Sequence, residues 1–144
     1  MNNIIAVKDL NFYYGKFHAL INVDLNVEKN KITALIGPSG CGKSTFLRCL
    51  NRMNDLIVGT KMTGSIVIDG DEINNSSIDL VTLRKKVGMV FQRPNPFPIS
   101  IYENIAFGLR IHNVARGKEL DGIVSDSLHK VLLWDEVKNK LNKN

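Results

Sequence analysis

The chain has 144 residues, of which 44% are hydrophobic and 23% are charged, a composition typical of a soluble globular protein with one ordinary core. It has no apolar run of the ~20 residues that a membrane-spanning helix requires, and its first residues do not resemble a secretory signal. The net charge of +5 does not indicate a nucleic-acid partner, because the basic residues do not alternate with aromatic residues. We therefore expect a cytosolic protein.

The two cysteines and three histidines indicate neither a disulfide framework nor a metal cluster. Cys41 and Cys49 are too few for either, so reduced thiols without a redox role are expected. The histidines are scattered and do not show the spacing of metal ligands.

Strands are predicted in the first third of the chain, at residues 4–10, 22–27 and 31–36. The second alternates apolar and polar residues, which predicts a strand with one buried face. Within the third, residues 32–36 are all apolar or small, as in a strand that is covered on both faces. A glycine-rich turn then leads into a predicted helix at residues 43–52.

Further short elements are predicted before residue 92. A strand at residues 65–68 ends in a turn at Asp69 and Gly70. A short helix is expected at residues 78–85, followed by a buried strand at residues 87–91.

The rest of the chain is predicted to be helical after a proline-rich segment. Residues 92–98 contain most of the four prolines, which remove backbone donors and predict an extended surface segment. Ser100 and Glu103 have the spacing of a capping box at the start of a helix. The last helix is predicted at residues 117–134, with an apolar stripe formed by Val124, Leu128, Val131 and Leu132.

A phosphate-binding loop is the strongest signal in the sequence. The pattern G-x-x-x-x-G-K-[ST] is matched by Gly37, Pro38, Ser39, Gly40, Cys41, Gly42, Lys43 and Ser44, with Thr45 after it. Gly40 and Gly42 let the backbone wrap closely around phosphate oxygens, and the N–H groups from Gly40 to Thr45 form a nest for an anion. Lys43 supplies a positive charge to the β- and γ-phosphates, while the Ser44 hydroxyl can ligate Mg²⁺. The loop therefore indicates a nucleoside triphosphate, with ATP as the best candidate.

Residues around this loop resemble the ABC transporter ATPases. Residues 37–45 look like the Walker A motif of that family, and Gln92 resembles its Q-loop glutamine. Tyr14, followed by Gly15, resembles the A-loop aromatic residue. The resemblance implies that Tyr14 stacks on adenine, that Lys43 and Gln92 act in catalysis, and that Gln92 reaches Mg²⁺ or the attacking water.

Within this family, residues 51–56, 87–98 and 101–105 are similar to the PstB-like subunits of phosphate importers, and the resemblance extends from Asp9 to the end of the chain. It implies a subunit that binds ATP and Mg²⁺ and docks on the transmembrane subunits of a phosphate permease, at the cytoplasmic face of the cell membrane. Two such subunits would form a homodimer that sandwiches two ATP molecules. Residues 93–98 would lie near the permease, or would form a rigid linker without a partner.

The predicted fold class is α/β, an incomplete P-loop NTPase of the ABC ATPase type. One partial nucleotide-binding domain is expected over residues 1–144, with an antiparallel β layer and the P-loop core at residues 1–92. Residues 93–144 would hold the Q-loop and the start of a helical subdomain. The sequence contains no LSGGQ-like signature, D-loop or switch histidine. We therefore expect an N-terminal part of the domain, with exposed apolar surface and marginal stability.

Two stretches imitate the Walker B pattern of apolar residues before an acid. Residues 66–69 are followed by Gly70, which predicts a turn. Residues 131–136 include Asp135 and Glu136, a candidate metal ligand and base, but the apolar stripe of the last helix continues into them and favours a helix.

A helix at residues 128–136 leaves the chain without the carboxylates that phosphoryl transfer needs, so we expect the chain alone to bind ATP without turnover. A strand there would favour a small complete P-loop kinase that uses Asp135 and Glu136. A third possibility is a non-catalytic module that binds a permease.

Overall fold

The computed structural model describes residues 3–143, and the chain divides into two compact units, Met1–Val90 and Phe91–Asn144. Each unit has its own cluster of buried apolar side chains. Among the described residues, no helix has both the length and the apolarity that crossing a bilayer requires.

The first unit contains one four-stranded antiparallel sheet. Its strands are β1 (Asn3–Tyr14), β2 (Phe17–Glu28), β3 (Thr60–Ile68) and β4 (Asp71–Glu72), and the spatial order is β2-β1-β3-β4. The strands predicted at residues 4–10, 22–27 and 65–68 lie within β1, β2 and β3. The register places Val7 of β1 opposite Leu25 of β2 and Ile66 of β3. Because Val7 and Ile66 are buried, this register keeps their face of the sheet in the core.

Short helices complete the first unit. They are α1 (Lys43–Leu50), the 3₁₀ turn Met53–Leu56 and α2 (Leu80–Lys86). The buried cluster combines side chains of the sheet and of the helices with Ile73, which follows β4: Val7, Leu10, Phe12, Leu20, Phe46, Cys49, Leu50, Ile66, Ile68, Ile73 and Leu83. Burial of each large apolar side chain contributes roughly 1.5–3 kcal/mol, so this shared core holds α1 against the sheet.

Two predicted buried strands are not strands in the structure. Residues 31–36 and 87–91 have no regular secondary structure. Ile32 and Val90, predicted to be covered, are 101% and 98% exposed. A strand buried on both faces needs hydrogen-bonded neighbours and covering layers. Among the described residues, the sheet contains only the four strands β1, β2, β3 and β4, so neither segment has a partner strand.

Residues 31–36 also expose apolar surface, as the sequence predicted. Ile36 is 93% exposed. Together with Leu35, Leu20 and Phe46 it lines a cleft of about 400 Å³ beside β2. Apolar surface of this kind is a feature of interaction sites and of marginal stability.

The second unit is helical. It contains α3 (Ile101–Ile111), α4 (Gly117–Lys130) and α5 (Trp134–Val137), with Ala106, Ala115, Leu120, Val124 and Leu128 buried. The predicted cap of α3 is confirmed, because the Ser100 hydroxyl accepts a hydrogen bond from the Glu103 N–H at 3.2 Å. The Glu103 carboxylate pairs with Arg110 at 3.1 Å, so only half of the capping box is shown.

The last predicted helix ends earlier than expected. Helix α4 stops at Lys130, and Leu132 takes a left-handed conformation with φ 60°. The Leu132 N–H donates to the His129 carbonyl and the Leu133 N–H to the Leu128 carbonyl, both at 3.0 Å, which is the bonding of a Schellman motif. The predicted apolar stripe therefore ends at Leu128, because this cap turns the following residues out to solvent.

Candidate phosphate-binding site

The loop before α1 has the backbone conformation that its glycines permit. Gly40 and Gly42 have φ values of 81° and 96°, a region that side chains disfavour. Gly42 also lies against β2, where an added Cβ would come within 2.7 Å of Leu20 Cδ2 and 3.3 Å of the Ala19 carbonyl oxygen. Glycine at position 42 thus allows both the turn and the close packing of the loop on the sheet.

Lys43 lies over the loop that precedes it. Its Nζ donates to the carbonyl oxygens of Gly37 at 2.8 Å and Pro38 at 2.7 Å, and it lies 3.4 Å from Cys41 Sγ. These contacts hold the ammonium group at the loop. A positive charge therefore stands beside the backbone that would surround a phosphate.

The start of α1 favours an anion. Gly42 is the N-cap and provides no side-chain cap, and the first turn of α1 contains no acidic residue. The first N–H groups of a helix have no acceptor within it, and the helix dipole adds partial positive charge at this end. Ser44 is exposed in this turn, where its hydroxyl can reach a metal ion bound to a phosphate. The loop and helix together thus suit a polyphosphate with Mg²⁺.

The structure also brings Tyr14 to this helix. Tyr14 ends β1, and its hydroxyl lies 3.2 Å from Thr45 Oγ1 in the first turn of α1. The half-buried ring meets Phe12 edge-on, with 4.9 Å between ring centroids. Tyr14 therefore lies against the first turn of the helix that the loop opens.

Asn54 is a member of this neighbourhood that the sequence did not indicate. It is 1% exposed, and its side-chain amide contacts the Thr45 carbonyl oxygen at 3.0 Å and the Tyr14 hydroxyl at 3.5 Å. The nearby Cys49 thiol is buried, and burial raises its pKa to about 11. No local pattern signals Asn54, because its partners lie far from it in the sequence.

The remaining predicted site residues belong to the second unit. Gln92 is exposed and lies in a bend. Asp135 and Glu136 lie in helix α5, so residues 128–136 contain helix and turn without a strand. The Asp135 carboxylate pairs with Lys138 at 2.7 Å, and this hydrogen bond lowers the pKa of Asp135. The strand that the kinase interpretation requires is not formed.

Two comparisons with known proteins identify the family of the chain. A family model described as ABC transporter matches residues 20–144. The chain is similar to a solved structure of a bacterial Atm1-family ABC exporter with ATP bound, with 30% sequence identity and a TM-score of 0.63. The match covers 74% of this chain and 18% of the exporter chain. The chain therefore belongs to the ABC transporter family.

Proposed function

We propose that this chain is part of the ATP-binding subunit of an ABC transporter and that residues 37–45 hold the triphosphate of Mg-ATP. The observation that carries the proposal is the placement of Lys43 Nζ at 2.7–2.8 Å from the Gly37 and Pro38 carbonyls, over a glycine loop that opens α1. Family membership, which in general implies ATP and Mg²⁺, supports ATP as the nucleotide.

The loop backbone and individual side chains have distinct roles in this proposal. The N–H groups from Gly40 to Thr45 surround the phosphate oxygens, and Lys43 neutralises the β- and γ-phosphates. Ser44 ligates Mg²⁺, and Tyr14 stacks on the adenine. Gln92 contributes to Mg²⁺ binding or orients the attacking water.

A binding titration tests this function. We expect Lys43→Ala to weaken Mg-ATP binding by roughly tenfold or more, because a charge-assisted contact to phosphate is lost. Lys118→Ala is the matched control, since Lys118 is an exposed lysine near the start of α4 and should leave binding unchanged. Calorimetry that gives the same affinity for Lys43→Ala and for the parent would contradict the proposal.

We further propose that the transporter imports inorganic phosphate. The support is the resemblance of residues 51–56, 87–98 and 101–105 to phosphate-import subunits. The chain would then act at the cytoplasmic face of the cell membrane, paired with a second copy and bound to the transmembrane subunits of a phosphate permease. The similar exporter structure supports the shared fold and does not bear on cargo.

Co-purification tests the importer proposal. We expect the tagged chain to retain the transmembrane subunits of a phosphate permease from detergent-solubilised membranes. The subunits of an ABC exporter, expressed at the same level, should not be retained. Equal retention of both would contradict the assignment to phosphate import while leaving ATP binding intact.

A further inference from the structure

Asn54 lies at a junction between three parts of the first unit. Its Nδ2 donates to the Thr45 carbonyl oxygen at 3.0 Å and to Cys49 Sγ at 3.2 Å, both in α1. Its Oδ1 accepts from the Tyr14 hydroxyl of β1 at 3.5 Å. Its main-chain oxygen accepts from Thr60 Oγ1 of β3 at 3.3 Å. The buried side-chain amide of Asn54 therefore connects the end of β1 to α1, and its main-chain oxygen adds the start of β3.

The orientation of this amide follows from its partners. The Thr45 carbonyl can only accept a hydrogen bond, so the side-chain nitrogen of Asn54 must face it. The side-chain oxygen then faces the Tyr14 hydroxyl, which can donate. Because Asn54 is 1% exposed, water does not replace these bonds when they are lost.

The backbone around Asn54 is fixed by its own contacts. Arg52 is left-handed with φ 58°, and its guanidinium donates to the Asp55 carboxylate at 2.8 Å and to the Ile73 carbonyl at 2.9 Å. Arg84 donates to the Arg52 carbonyl at 3.0 Å. The turn that carries Asn54 is therefore held from both sides, which lets a short side chain act as a fixed support.

We propose that Asn54 is a positioning residue that couples Tyr14 to the first turn of α1, so that the base-binding ring and the phosphate loop keep one relative arrangement. The proposal rests on the proposed function, in which Tyr14 meets the base and residues 37–45 meet the phosphates. Tyr14 OH lies 3.2 Å from Thr45 Oγ1, and Asn54 bonds to both residues, which closes a three-membered network. If Asn54 only stabilised the start of α1, its contact with Tyr14 would not be needed.

A pair of ligands distinguishes positioning of the base from support of the fold. Mg-ATP uses both Tyr14 and the loop, whereas Mg-tripolyphosphate uses only the loop. We expect Asn54→Leu, which keeps similar volume without polar atoms, to weaken Mg-ATP binding about fivefold and Mg-tripolyphosphate binding by less than about twofold. Calorimetry of both ligands gives the ratio of the two affinities, which a merely structural loss would not change.

Tyr14→Phe tests the same link without disturbing the buried amide. It keeps the ring and removes only the hydroxyl, so it should lower the same ratio by a similar factor. If the two groups act together, the double variant should bind Mg-ATP within about twofold of either single variant, whereas independent losses would multiply to about 25-fold.

Asn51→Leu is the matched control. Asn51 is a buried asparagine, 4% exposed, at the other end of the same turn, and its side chain accepts from the Met53 N–H. We expect it to lower stability without changing the ratio of the two affinities. Equal losses for both ligands in Asn54→Leu and Tyr14→Phe, or no loss for either, would overturn the role of Asn54. A parent chain that binds neither ligand would instead contradict the proposed function itself.

Discussion

The left-handed backbone before α1 and the left-handed backbone after α4 contrast with each other. Before α1, Gly40 and Gly42 take φ values of 81° and 96°, and after α4, Leu132 takes φ 60°. The turn after α4 uses the N–H groups of Leu132 and Leu133 to bond carbonyls of its own helix. The loop before α1 instead precedes the helix end whose N–H groups have no acceptor within the helix. The same left-handed conformation therefore satisfies the carbonyl groups at the end of α4, whereas before α1 it leaves free N–H groups that suit an anion.

The largest effect is expected from filling the space at Gly42. Gly42→Ala should destabilise the first unit by roughly 3 kcal/mol, since it combines a disfavoured φ with crowding against β2. Gly40→Ala, at φ 81° with nothing within 4 Å of the added Cβ, should cost only about 1 kcal/mol. Urea unfolding measures both variants. Equal costs would show that Gly42 does not pack on the sheet as described.

The second prediction concerns the buried side of α1. The Cys49 pKa is raised to about 11 from 9.0 by burial, so the folded state holds this proton more tightly than the unfolded state. The stabilisation is complete below pH 9.0 and is lost as the pH rises to about 11, by roughly 2–3 kcal/mol in total.

Cys49→Ala isolates this effect. The difference in unfolding free energy between the parent and the variant should shrink across that pH interval, because alanine does not titrate. A difference that stays constant would contradict the burial of the thiol. Cys41→Ala, which removes an exposed thiol, is the matched control for the loss of one cysteine.

A smaller effect of opposite sign is expected at the turn after α4. Leu132→Gly should stabilise the second unit by about 1 kcal/mol, because Leu132 is 87% exposed and glycine takes a positive φ without strain. Val131→Gly is the control, since Val131 has φ −98° and gains nothing from glycine. Thermal unfolding followed by circular dichroism measures both. A destabilising Leu132→Gly would mean that the leucine side chain is needed for packing.

Replacing the carboxylates of α5 is expected to have no effect on ATP hydrolysis. We expect the 144-residue chain alone to bind Mg-ATP without hydrolysing it, because Asp135 and Glu136 lie in a short helix and Asp135 pairs with Lys138. Phosphate release by the parent, Asp135→Asn and Glu136→Gln should all remain at background. Multiple turnovers in the parent that Glu136→Gln abolishes would revive the kinase interpretation.

Features set by local residue pattern could be predicted from the sequence. The glycine spacing of residues 37–45 predicts the loop and the start of α1 at Lys43, because left-handed backbone favours glycine. Ser100 predicts the start of α3 for a similar local reason, since its hydroxyl bonds an N–H three residues away.

Features set by tertiary context could not be predicted. The apolar or small residues 32–36 and 87–91 match a buried strand, but a strand forms only where another strand pairs with it. Leu132 in a left-handed cap was missed because leucine rarely takes that conformation. Asn54 was missed because its role depends on Tyr14 and Thr45, which only the folded chain brings together.

The central claim is that the backbone of the loop before α1 binds the phosphates of Mg-ATP. The most direct measurement is a titration of the ¹⁵N-labelled chain with Mg-ATP, followed by amide resonances. We predict saturable shifts at the N–H groups of residues 40–45 and none in helix α5, with the loop shifts reproduced by Mg-tripolyphosphate and lost in Lys43→Ala. Shifts confined to residues outside 37–45, or loop shifts that persist unchanged in Lys43→Ala, would contradict the claim.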